Sequence, residues 1–590
     1  MQLFAVACRW PGLGEERVVK ALRAAAAAFP ELDERTLERG TSADGRIAFA
    51  AVAHPPERAA LRRYFARRGD TVVVYDGLPL PLYDATELLD RWGQVELEGV
   101  FSALRIDLAA AHAEPLLDVF GMAKLFRARR SDGFVLSNSV EAVRLLTEAT
   151  EIDPVGVSSM LGFGWTAGGR TLLREIELVE GPVTPRSVVP RDTVSALTAH
   201  DVAESLTGLA RAAAGIRPLT CGLTAGRDTR VVLALALAAE LDVDYYTSGH
   251  ATDPDVVIAR ELAGAFGLRH RMVTPRVPED WGGATTAFSA QTDGLASFAI
   301  AADWVEHQGM SGPVGLNLWG PGGEIGRAGN IGLTIPFGST TPGLRSSVEV
   351  QRRILHRKVA DFGGLVTHEG VATVRAYLDS FIAARLDEGW RPRELSEAYY
   401  GFERVRYWAS AGVRRVSVAT DLWSPFVSRE FIEYCLSLTP QERSVEAPHW
   451  RILGALDPRL RDHRFEYPWR PQRPRLASAM VGRDVARNAV RSTLRRARGG
   501  GPPPPRHFDS EWVEAGLPHL RALASSVPDS EVWRFIDRTR LEALLAGPPG
   551  PRLAAAEGIC RALTVLWWLH GRHEVPASRG RSPAVPRRPR

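Results

Sequence analysis

The stretch Leu219–Arg230, LTCGLTAGRDTR, constrains the fold more than any other part of the chain. An apolar run ends in small residues, an Asp follows, and an amphipathic helix, VVLALALAAE over 231–240, begins at once. A strand that turns through small residues into a helix N-terminus makes an anion site. The first backbone N–H groups of the helix lack partners and carry partial positive charge. Thr224 and Thr229 add hydroxyl donors, and Ala225 and Gly226 let a phosphate approach the backbone. Asp228 would repel a bare phosphate, which makes sense if a divalent cation lies between the two. The local chemistry therefore suggests a Mg-nucleotide site. A plain strand–helix turn capped by Thr and Asp is the alternative.

The flanking sequence extends the pattern. From Asp201 helix and strand alternate: a helix over 202–213, a strand over 218–223, another over 243–249, a helix over 255–266 and a strand over 271–273. In the 255–266 segment Val256, Ala259, Leu262, Ala263 and Phe266 fall at helical spacing. Such alternation predicts a doubly wound parallel sheet with helices on both faces. Ligands in these sheets sit at the C-terminal strand ends. That is where Leu223–Asp228 and Thr247–Gly249 lie, with Leu223, Thr247 and Ser248 placed near a nucleoside. Further on, an apolar run from Val314 breaks into Gly320-Pro321-Gly322-Gly323-Glu324. Two glycine-broken strand ends, each with one carboxylate, can hold one metal between Asp228 and Glu324. An ordinary Gly-rich turn would explain the second loop alone.

The region before Pro190 differs. Short strands are expected over 3–8, 47–52, 71–77, 99–107, 115–121 and 133–138, with few helices between them. This predicts stacked antiparallel sheets. The resulting division is 1–195, an antiparallel sandwich; 196–490, the nucleotide-binding sheet; 491–574, a helical extension; and 575–590, a disordered basic tail rich in Pro, Arg and Ser. The Arg-, Gly- and Pro-rich stretch over 491–506 reads as a flexible surface loop. At 590 residues the chain is too long for one core, and a net charge of +4 gives no argument for nucleic acid. The four cysteines show no metal-ligand spacing and suit a reducing cytoplasm. No apolar run reaches the ~18 residues of a membrane span, and no secretory signal is expected.

In order and spacing these signals resemble the asparagine synthetase superfamily. Thr224-Ala225-Gly226-Arg227-Asp228-Thr229 is a conservative variant of that family's Ser-Gly-Gly-x-Asp-Ser phosphate loop, and Gly320–Glu324 resembles its Gly-x-Gly-x-Asp-Glu loop. Asp118-Val119-Phe120-Gly121 and Ser137-Asn138 match strand turns of its N-terminal Ntn-type glutaminase-like domain. The resemblance covers about 1–460. It implies a PP-loop synthetase domain that binds ATP and Mg²⁺ and adenylates a carboxylate. Departures are also present. Glutamine-hydrolysing members carry a Cys after the initiator Met, where this chain has Gln2, and Cys8 falls inside the first strand. Pro321 stands where relatives carry a Glu or Tyr that helps catalysis. Asp421 matches a Glu that precedes the Pro-Phe signature of some relatives, and His449 lies near their Lys.

The resemblance thus implies an ATP-dependent amide-forming ligase without glutaminase activity. The lasso-peptide macrolactam synthetases are the nearest specific expectation, with a precursor peptide and its processing protease as partners. Alternatives are a ligase joining a small metabolite to a free amine, and a non-catalytic nucleotide-binding scaffold. Asp228 and Glu324 would hold Mg²⁺. Leu223, Thr224, Ala225, Gly226, Asp228, Thr229, Thr247, Ser248, Gly322 and Gly323 would contact nucleotide. Asp421, His449 and Arg227 are the candidate catalytic groups. Arg227 and Arg230 are read either as phosphate contacts or as surface arginines.

Overall fold

The computed structural model describes residues 2–55, 63–94, 96–184, 196–216, 218–274, 276–308, 315–327, 348–417, 420–439, 442–443, 445–465, 469 and 507–571. The 491–506 stretch and the 575–590 tail lie outside them.

The N-terminal strands are β1 (Gln2–Cys8), β2 (Asp33–Thr41), β3 (Ile47–Ala53), β4 (Phe65–Arg68), β5 (Thr71–Leu80), β6 (Glu98–Asp107), β7 (His112–Leu117), β8 (Phe126–Arg129), β9 (Phe134–Ser137) and β10 (Glu177–Leu178). They form two antiparallel sheets, ordered β10-β8-β9-β1-β3-β2 and β4-β5-β6-β7. The period of two along a strand decides what each face does. Phe4, Val6 and Cys8 of β1 meet Val72 and Val74 of β5 and Leu104 and Ile106 of β6 in the core between the sheets. Leu3, Ala5 and Ala7 face the opposite way, into a cluster with helices α1 (Glu15–Ala26) and α2 (Val140–Thr147). A helix over Ala85–Arg91 covers the outer face of the second sheet through Ala85 and Leu88. The sandwich therefore carries a helical layer on each side, where few helices were expected.

After α3 (Pro154–Phe163) and α4 (Ala199–Ala213) the chain builds a parallel sheet from β11 (Leu219–Gly222), β12 (Val243–Ser248), β13 (His270–Val273), β14 (Gly315–Leu318) and β15 (Thr420–Trp423). The strand order is β13-β12-β11-β14-β15. From β11 the chain steps outward one way to β12 and β13, then returns to β14 on the other side. The point of reversal lies between β11 and β14, which is where open α/β sheets form a crevice. Helices α5 (Arg227–Ala238) and α6 (Pro254–Phe266) follow β11 and β12.

A long helix α7, residues 395–417, has a π-helical centre over Tyr400–Ala409 and packs on β15. Beyond β15 lie α8 (Arg429–Ser437), α9 (Ala447–Leu456), α10 (His507–Ser526) and α11 (Ala556–His570). Helix α11 is almost wholly buried, against α3, α10 and the Trp281–Gln291 helix. The C-terminal helices thus share one continuous core with the N-terminal region. Among the described residues, no helix is long and apolar enough to cross a membrane.

Glu403, in the π-helical turn, is buried and accepts hydrogen bonds from the Tyr377 hydroxyl and the Gly168 N–H. Burial pushes its carboxyl up to about 7, against the lowering effect of those bonds. The folded protein then holds a proton that the unfolded chain releases near pH 4.5. Stability from this group is full below that value and is lost as pH rises through about 7. We expect the thermal midpoint to fall between about pH 5 and 8. Glu403→Gln should flatten that slope, as differential scanning calorimetry would show.

Candidate active site

The loop after β11 is held from within. The Thr224 and Thr229 hydroxyls bond each other at 2.9 Å, and the Gly226 N–H donates to Thr224 Oγ1 at 3.0 Å. The Ala225 N–H donates to Asp255 Oδ1 at 2.8 Å, which ties the loop to the start of α6. No side chain caps the N-terminus of α5. Its first N–H groups therefore stay available to an anion.

The second glycine loop packs directly on the first. A Cβ at Gly323 would lie 2.3 Å from Asp228 Oδ1, and one at Gly320 would lie 3.5 Å from Asp228 Cβ. A Cβ at Gly326 would meet the His449 ring at 2.8 Å. Glycines at every third position thus give the loop a bare face against Asp228 and His449. Gly322, with φ near +103°, makes the turn, and its N–H donates to Glu324 Oε2 at 3.1 Å. From the end of β15, the Ser424 hydroxyl donates to the Pro321 carbonyl at 2.6 Å.

Asp228 sits at the centre. His449 Nε2 is 2.9 Å from Asp228 Oδ1, and Arg327 pairs with Asp228 Oδ2. Burial pushes the Asp228 carboxyl up, but the Arg327 guanidinium, followed by His449, outweighs it and holds the carboxyl well below its usual range. Arg327 lies in the combined field of Asp228, Glu446 and Glu324, with Glu446 Oε2 3.5 Å from its Nε. Glu324 also shares a hydrogen bond with Tyr400. His449 is fully buried between the rings of Phe426 and Phe431.

The structure brings most of the sequence-derived residues to this crevice. Leu223 is buried, and its carbonyl accepts from the Thr247 hydroxyl at 2.5 Å. Ser248 donates to Glu306 at 2.9 Å. The two arginines divide. Arg227 pairs with Glu446 at 2.5 Å and lies over the Trp469 ring. Arg230 is not a surface side chain. It is fully buried, donates to the Leu460 and Arg464 carbonyls, and stacks on Phe465. Asp421 is also elsewhere. It points from the middle of β15 into a small cavity shared with Asp76, Lys124 and Arg414 at the edge of the N-terminal sandwich. Sequence reading passed over Arg327, Glu446 and Tyr400. Only Arg327 carried a signal, as a cation three residues after the loop acid.

The motif residues of the N-terminal region do structural work. Asp118 accepts from the Phe120, Met122 and Ala123 N–H groups and so closes its own turn. The Asn138 side chain binds the Gln2 carbonyl and the Phe4 N–H, while Asp76 accepts the Gln2 N–H at 2.9 Å. Gln2 offers a carboxamide at this position and not a thiol. The Cys8 thiol is buried in the sheet, and burial pushes its pKa up.

The donor chemistry fits Mg²⁺ with a nucleotide. Asp228 stands in the first turn of the uncapped helix α5 and Glu324 in the loop packed on it, two hard oxygen donors of the kind that could hold Mg²⁺ together with phosphate oxygens and water. Asp228 Oδ1 is buried without a well-aligned hydrogen bond. Among the described residues no three His, Cys, Asp or Glu side chains converge as a metal cluster. No protein-family model and no curated protein matches this chain.

Proposed function

We propose that this chain is an AMP-forming, ATP-dependent carbon–nitrogen ligase of the asparagine synthetase-like kind that does not hydrolyse glutamine. It would adenylate a substrate carboxylate and close it with an amine of the same molecule, as a lasso-peptide macrolactam synthetase does. The observation that carries this reading is the packing of the Gly320–Gly326 loop onto Asp228 at the reversal between β11 and β14.

A carboxylate is a poor electrophile because its leaving group would be oxide. In the proposed reaction its oxygen bonds to the α-phosphorus of ATP while the bond to the β-phosphate oxygen breaks and pyrophosphate leaves. The amine then bonds to the acyl carbon, AMP departs, and the amine's extra proton passes to a base. The uncapped N–H groups at the start of α5 would bind the departing pyrophosphate, aided by Thr224, Gly226 and Thr229. Asp228 and Glu324 would hold Mg²⁺, which when bound supplies charge neutralisation on the phosphates. His449 is best read as a positioning residue that orients Asp228. Asp421 would serve as a base only for an amine arriving through the cavity it lines.

One observation favours a second reading, a nucleotide-binding scaffold without turnover. Arg327 already neutralises Asp228, as a cation would. ATP–pyrophosphate exchange dependent on an added carboxylate, and its loss in Asp228→Asn, separates the two. The four cysteines are buried and unpaired, which agrees with a reducing compartment. The cytoplasm is the proposed location.

A further inference from the structure

A cavity of about 580 Å³ lies where the end of α3, the middle of α7 and the C-terminal helix α11 meet. Its size is that of a site for a sizeable ligand rather than for a solvent pocket. Its walls are aromatic, with Phe163 stacked on Trp165 at 5.2 Å and Trp408 under the Arg404 guanidinium at 4.8 Å.

The polar groups on these walls are mismatched in one direction. Lys358 and Arg404 line the cavity and have no carboxylate partner among the described residues. Tyr399 and Trp165 are also on the wall, each more than nine-tenths buried, and behind its surface the Tyr399 hydroxyl and the Trp165 indole N–H have no hydrogen-bond partner. Arg404 Nε is likewise unpartnered. The two acids on the wall are already engaged: Glu557 pairs with Arg561 at 2.6 Å, and Asp509 has a partner. Leaving buried donors and cations unpaired is costly. Two cations without a carboxylate partner on a largely aromatic wall suit an acceptor-rich, negatively charged group on an apolar body. Burial and the neighbouring Arg404 together push the Lys358 ammonium down to about 8, as expected of two cations crowded without a counter-ion.

The cavity is joined to the active site by one helix face. Tyr400, Arg404 and Trp408 stack along α7, with the Arg404 guanidinium 5.4 Å from the Tyr400 ring. Tyr400 in turn bonds Glu324 of the second glycine loop. We propose that this cavity receives the acyl substrate, a peptide-sized chain bearing a carboxylate that Lys358 and Arg404 grip, with its apolar groups against Trp165 and Trp408. The identity of the ligand as substrate rests on the ligase reading above; the existence of the anion site does not.

The test is isothermal titration of the full chain, without ATP, with N-acetyl-Phe-Ala-Gly-Gly as the free acid and as its C-terminal amide. The acid should bind at least about tenfold more tightly than the amide, and Lys358→Met or Arg404→Met should each erase about tenfold of that preference. Arg404→Lys, which keeps the charge, should retain most of it. The melting temperature of Lys358→Met should hold or rise, since an unpaired cation is removed, so lost affinity cannot be put down to misfolding. Equal binding of acid and amide, or an acid preference that survives both Met variants, would overturn the proposal. Displacement of the acid by equimolar inorganic phosphate would also overturn it, in favour of an inorganic-anion site. Acid-selective binding without ATP–pyrophosphate exchange would sink the ligase and leave the anion site standing. Exchange without acid selectivity would do the reverse.

Discussion

Gly323→Ala should sharply weaken nucleotide binding while leaving the protein folded. A methyl group at this position would lie 2.3 Å from Asp228 Oδ1 and 3.1 Å from His449 Nε2. Gly323 has an ordinary backbone conformation, so Ala is not strained there and the whole effect falls on its neighbours. Asp228 must swing away, and the carboxylate leaves the crevice between the two loops. The loss of Mg-ATP affinity should exceed about tenfold, or ~1.4 kcal/mol. Gly320→Ala is the internal comparison. Its methyl would sit 3.4 Å from Thr229 Cγ2 and 3.5 Å from Asp228 Cβ, ordinary contact distances, and its affinity should stay near that of the wild type. Calorimetric titration of both variants checks the contrast. Equal affinities would mean that Asp228 does not meet the nucleotide.

Asp293→Asn should be the most destabilising of the isosteric changes. Arg414 donates to Asp293 Oδ2 at 2.9 Å, and both side chains are almost fully buried. Asp293 Oδ1 also accepts from the Ser139 hydroxyl and the Glu141 N–H, so one carboxylate joins α7 to the first turn of α2. Asn keeps the shape and tolerates the positive φ of 52° at this position. It removes the charge, puts an NH2 donor where one of the two acceptor oxygens was, and leaves the Arg414 guanidinium buried beside a neutral amide. Breaking a buried pair in this way costs about 3 kcal/mol. The transition that reports the N-terminal region in urea unfolding should shift by that amount, and adding Arg414→Met should recover part of it. A shift within ~0.5 kcal/mol of zero, the range of an ordinary surface change, would show that solvent reaches the pair.

Much of the fold can be read from apolar patterning. The runs at 3–8, 47–52, 71–77, 99–107 and 133–138 all became strands, and every strand expected after Asp201 took its place in the parallel sheet. Strand β2 was missed because Asp33–Thr41 is charged along both faces, as suits an edge strand. The 115–121 run became a strand only to Leu117, since Asp118 takes three backbone N–H groups for a turn.

In the site, residues close to a strand end were legible and those brought in from afar were not. Thr224–Thr229 and Gly320–Glu324 stand directly after apolar runs, and strand-end geometry fixes their position. Glu446 reaches Arg227 and Arg327 from the start of α9, and nothing in its own surroundings announces a partner. Asp421 shows the limit of a motif match. It lies within β15 rather than past its end, so the pleat aims it at the sandwich while Ser424 reaches the loop. His449 was singled out by resemblance alone, and its contact with Asp228 depends on how α9 packs.

ATP–pyrophosphate exchange is the most direct test of the central claim, that the two glycine loops form a Mg-nucleotide site that activates a carboxylate. Labelled pyrophosphate should enter ATP only when Mg²⁺ and a carboxylate-bearing peptide are both present, and Asp228→Asn should remove the signal. Exchange without any added carboxylate, exchange that persists in Asp228→Asn, or nucleotide binding with no exchange across a panel of peptide and small-molecule acids would contradict it.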